Sequence, residues 1–87
     1  MAIQIDNPLS NNPNALKVID LLRETAADGY TVMKRTGLNA QELSAALKAI
    51  PPSLLTIKGE LEPERVGEAY LAVPPDAIKY AEYLVRS

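Results

Sequence analysis

The chain has 87 residues, enough for one domain and too few for two. An apolar share of 47% makes a core affordable, and with four Tyr, no Phe and no Trp that core must be aliphatic. With no Cys and no His, the chain lacks disulfides, thiol nucleophiles, the commonest metal ligand and the usual general base near neutral pH.

Met1–Ser10 has no basic start and no apolar run, so no signal peptide is expected, and no stretch approaches the length of a membrane span. A cytoplasmic protein is the simplest expectation. The net charge of −2 hides a pattern: residues 1–28 sum to −2, residues 29–59 to +3 and residues 60–87 to −3. Anion affinity follows local charge, so the middle third is where it would be found.

Residues 1–12 read as an N-terminal arm, with Ile3 and Ile5 alternating as in a short edge strand before Asn7-Pro8 breaks it. Asn12 as N-cap and Pro13 at the first helical position predict a helix from Pro13 to Ala27, with Ala15, Val18, Ile19, Leu22 and Ala26 as its apolar stripe and Asp28-Gly29 as its end. A very short strand is expected around Tyr30, then a short helix over Thr31 to Thr36. Gly37 breaks that helix in the left-handed conformation, and Leu38 follows as a buried plug.

Asn39, with Glu42 three residues later, has the spacing of a capping box and predicts a helix from Ala40 to Ile50. Leu43, Ala46, Leu47 and Ile50 form its inward stripe, leaving Gln41, Ser44, Ala45 and Lys48 outward. Pro51-Pro52 stops it. A two-stranded hairpin follows: Leu55 and Ile57 alternate with Thr56 and Lys58, and the strand returns over Glu68 to Val73. A last helix runs from Asp76 to Val85 on a stripe of Ile78, Ala81, Leu84 and Val85.

The segment Gly29 to Lys48, GYTVMKRTGLNAQELSAALK, resembles a helix-turn-helix unit, with Gly37 at the turn, Leu38 after it, and Leu43, Ala46 and Leu47 at the buried positions of the second helix. Met33 stands where that pattern prefers Ala, a mild departure because Met adapts to a tight site. Over residues 13–85 the element order resembles the winged helix-turn-helix superfamily. The resemblance implies an α+β winged helix occupying residues 13–87: a three-helix core, a two-stranded hairpin wing and a C-terminal helix.

The resemblance also implies binding of double-stranded DNA by a small transcriptional regulator. Gln41, Ser44, Ala45 and Lys48 on the third helix would meet base edges in the major groove, and Lys34, Arg35 and Lys58 would hold phosphates. The alternative is a protein-interaction module that uses the acidic hairpin, Glu60 to Glu68, and an outer surface of Tyr70, Tyr80 and Tyr83, which would equally serve a homodimer. If Lys34, Arg35, Lys48 and Lys58 converge on one face, DNA gains; if acids interrupt that face, the protein module gains. No cofactor or metal is expected, since Glu60, Glu62, Glu64 and Glu68 fall short of a calcium loop. Catalysis is not expected, since Ser10, Ser44, Ser53 and Ser87 have no His to activate them.

Overall fold

The computed structural model describes residue 9 and residues 11–86; the expected strand at Ile3 and Ile5 lies outside them. Among the described residues four α-helices and a three-stranded antiparallel sheet form a small α+β domain.

Helix α1 (Pro13–Leu22) starts as its sequence predicts: the Asn12 side chain accepts the Ala15 N–H at 3.1 Å, Pro13 follows, and Ala15, Val18, Ile19 and Leu22 are buried. It ends five residues earlier than expected. The N–H groups of Glu24 and Thr25 both turn back to the Leu21 carbonyl, and Ala26 is exposed, so no burial rewards further helix. Instead Ala27–Asp28 forms strand β1. Asp28-Gly29 is thus the start of the next helix, its Asp28 side chain accepting the Thr31 N–H at 2.8 Å.

Helix α2 (Gly29–Thr36) therefore contains Tyr30, where a short strand was expected. Gly37 ends it at φ 78°, ψ 7°, its N–H bonded to the Met33 carbonyl. Leu38 is buried, and α3 (Ala40–Ala49) begins with both arms of the Asn39–Glu42 capping box made. Ile50 closes α3 in extended geometry ahead of Pro51.

A 3-10 turn at Pro52–Leu54 leads to β2 (Thr56–Lys58). The loop that follows carries a second turn at Val66–Glu68 and returns as β3 (Tyr70–Ala72). A turn at Pro75–Ala77 opens α4 (Ile78–Arg86). The sheet order is β1-β3-β2, so the expected two-stranded hairpin is corrected to three strands. Central β3 sets Tyr70 opposite both Asp28 and Lys58, and Leu71 opposite both Ala27 and Ile57. Leu71 is buried and Tyr70 exposed, so one face of the sheet meets the helices and the other meets solvent.

The core is aliphatic, as the composition required. Ile19, Leu43, Leu47, Leu54, Leu71 and Leu84 are wholly buried, and so is Leu9, ahead of the first helix. Helix α1 packs on both α3 and α4. No helix among the described residues is long and apolar enough to cross a membrane.

Candidate functional site

On α3 the exposed residues are Gln41, Glu42, Ala45, Lys48 and Ala49, and the stripe Gln41, Ala45, Lys48 follows helical spacing along one side. Ser44 is corrected: it is 3% exposed, and its hydroxyl donates to the Leu61 carbonyl. The loop after β2 folds back onto α3 at this point, so Ser44 is shielded and cannot reach a base edge. The buried side of α3 is thereby wider than its apolar stripe alone predicts.

The four cations of the middle third are all exposed, and they come from three elements, α2, α3 and β2. Lys34 and Arg35 lie in the last turn of α2. Arg35 lines a groove with Lys17, Asp20, Glu24 and Thr36, at the side of α1. Lys48 lines an apolar groove between α3 and β2. Lys58 pairs with Tyr70, whose other neighbour is Asp28. Acids therefore share a groove with one of the four, Arg35, while Asp28 is separated from Lys58 by the width of β3. Glu42 adds a third carboxylate at the start of α3, where its side chain accepts the Asn39 N–H at 3.0 Å.

Ion pairing is distributed unevenly. Arg23 takes three carboxylates, Asp20 at 2.8 Å, Glu24 at 3.7 Å and Glu82 at 3.9 Å, and Arg65 takes Glu60 at 3.3 Å. The hydrogen bond that Arg23 donates to Asp20 is the main reason that its guanidinium pKa is raised above the ordinary value. Two of the acids in the Arg35 groove are thus already engaged by Arg23. Lys34, Arg35, Lys48 and Lys58 carry no ion pair among the described residues. Asp28 has its pKa lowered by hydrogen bonds from the Thr31 side chain and backbone, which hold its charged form at the N-terminus of α2.

The tyrosines are all exposed at the surface. Tyr80 and Tyr83 stand three residues apart on α4, 43% and 44% exposed, while Tyr70 is on the outer face of the sheet. No described hydrogen bond or ring contact joins Tyr70 to the other two. The chain pattern gave no role to Tyr30, the most exposed of the four, whose ring lies over Gly67. It also missed Lys17, which shares the groove with Arg35, and Leu61. One signal for Leu61 was available: an apolar residue set between Glu60 and Glu62 has to pack against something.

Comparison with family models, with curated proteins and with solved structures returned no match to this chain.

Proposed function

We propose that the chain is a winged helix-turn-helix domain that binds double-stranded DNA through α3, as a small transcriptional regulator. The observation that carries this reading is the exposed stripe Gln41, Ala45, Lys48 on a helix held to α2 by a left-handed glycine turn. Gln41 pairs with adenine, the Ala45 methyl packs against thymine, and Lys48 meets guanine or phosphate. Lys34, Arg35 and Lys58 bind phosphate, their side chains having no ion pair among the described residues to give up first. With Ser44 shielded, three α3 side chains read the groove where four were expected.

Three phosphate contacts are few. They imply a slope of log K against log salt of about −2.7, and affinity in the range of roughly 1–100 µM for an isolated copy. Fluorescence anisotropy with mixed genomic duplexes at low salt tests the reading. Lys34→Ala/Arg35→Ala should flatten the salt slope by about two units on every sequence, and Gln41→Ala should change the preference among sequences. No binding at about 100 µM protein refutes the reading. Identical behaviour of the two variants refutes the division of roles.

A second reading, a protein-interaction module, is favoured by the loop after β2. Glu60, Glu62, Glu64 and Glu68 face only Arg65 there, and Arg65 is held by Glu60. A loop of that sign repels phosphate and suits a basic protein surface.

A further inference from the structure

A different surface of the domain has the features of a peptide site, and its argument stands whether or not α3 binds DNA. Among the described residues strand β2 is at the edge of the sheet, with β3 as its one neighbour. Outside that ladder no backbone hydrogen bond among the described residues reaches Thr56, Ile57 or Lys58. One side of the strand therefore presents unsatisfied N–H and C=O groups, the template on which a further strand adds.

Beside this open edge, on the side facing the helices, lies a groove of about 460 Å³. Its walls are Leu47 and Ile50 from α3, Leu55 and Ile57 from the β2 segment, and Leu61 from the folded-back loop. Strand side chains alternate, so every second residue of an added strand would enter this groove and the others would face solvent. Charge fixes what those others should be. Lys48 lies at the groove and Lys58 on the outer face of β2, and neither has an ion pair among the described residues. A carboxylate opposite Lys58 makes a favourable cross-strand pair.

We propose that the β2 edge and the α3–β2 groove bind an extended peptide segment of a partner protein, apolar at alternate positions and acidic between them, by strand addition. Affinity comes from the main-chain ladder, and selectivity comes from the groove and the two lysines.

The probe is a synthetic octapeptide alternating Glu and Ile, titrated into the whole chain and followed by NMR. Saturable shifts at the Thr56–Lys58 amides and the Leu47, Ile50, Leu55 and Leu61 methyls are expected. The same peptide with alternate amides N-methylated should lose binding. Lys58→Glu should weaken the Glu-Ile peptide about five-fold and strengthen a Lys-Ile peptide. No saturation, shifts confined to other elements, or equal binding of the N-methylated peptide overturns the proposal. A dimer by light scattering, with the same shifts in the absence of peptide, replaces the peptide with a second copy and overturns it too. The anisotropy titration reports on DNA separately, so failure of either reading is recognisable by itself.

Discussion

Two glycines flank α2, and substituting each with Ala should separate two kinds of constraint. At Gly37 an added Cβ meets nothing within 4 Å, but the backbone has φ 78°. The cost is that of left-handed geometry in an L-residue, about 1–2 kcal/mol. At Gly29 the backbone is that of a first helical residue, so conformation is no obstacle. Space is the obstacle: a Cβ would overlap the Val66 carbonyl oxygen and come within 2.7 Å of the Val66 carbonyl carbon and 2.8 Å of the Gly67 Cα. These are backbone atoms and no rotamer change moves them. Gly29 is itself tied to β3's flank by its N–H, which donates to the Ala69 carbonyl at 2.9 Å. Relief requires the start of α2 to leave the Val66–Glu68 turn, with loss of that bond. Overpacking costs about 1–3 kcal/mol and sometimes more. Here the upper end applies, offset by at most ~1 kcal/mol of helix propensity. Each kcal/mol is about 4–8 °C in a domain of this size. Melts followed by circular dichroism should put Gly37→Ala about 4–15 °C below the parent chain and Gly29→Ala well below that, or unfolded at 37 °C. Gly29→Ala melting at or above Gly37→Ala would refute the claim that α2 is seated directly on the turn at Val66.

Two further outcomes follow from the same geometry. Ser44→Ala should cost about 1 kcal/mol in urea unfolding, the lost hydrogen bond to Leu61 partly offset by better helix propensity, and should speed amide exchange in the loop after β2; unchanged exchange there would mean that the loop does not depend on α3. Asp28 has its pKa lowered in the folded state, so its capping bond stabilises fully above the ordinary value of 3.8 and that stability is lost as pH falls through the lower folded value. The melting gap between the parent chain and Asp28→Asn should therefore be open at pH 7 and close below pH ~3.8; a gap constant down to pH 2 would refute the ionised cap.

What could be read from the chain alone was whatever is decided within a few residues. The Asn39–Glu42 box, the left-handed Gly37, the proline stop after Ile50 and the buried stripe of α3 all depend on neighbours in sequence. What could not be read depends on distant partners. Asp28-Gly29 has the composition of a helix end, and only the pairing of Ala27 and Asp28 with Leu71 and Tyr70, more than forty residues on, turns it into a strand followed by a helix start. Ser44 looks outward until Leu61 arrives from 17 residues away. The exposure of Lys34, Arg35, Lys48 and Lys58 was legible, because Lys and Arg are rarely buried unpaired. Which acids share a groove with Arg35 was not, because Asp20 and Glu24 come from α1 and the turn after it, elsewhere in the chain.

Lys48 and Lys58 both serve the two binding surfaces, and Lys48 does so from α3 itself. It ends the Gln41, Ala45, Lys48 stripe on α3, and it also borders the groove above Leu47 and Ile50. A flexible ammonium meets a phosphate or a carboxylate equally well, but one at a time. If both proposals hold, an acidic peptide on β2 withdraws Lys48 from DNA and sets a second negative segment beside α3. The face of α3 is near neutral to begin with, since Glu42 offsets Lys48. With so few cations, losing even one contact is a large share of the phosphate term. The two ligands are therefore negatively coupled, and by linkage the coupling is the same in either direction. Lys48→Ala/Lys58→Ala should weaken both and erase most of their antagonism, whereas Gln41→Ala should act on DNA alone.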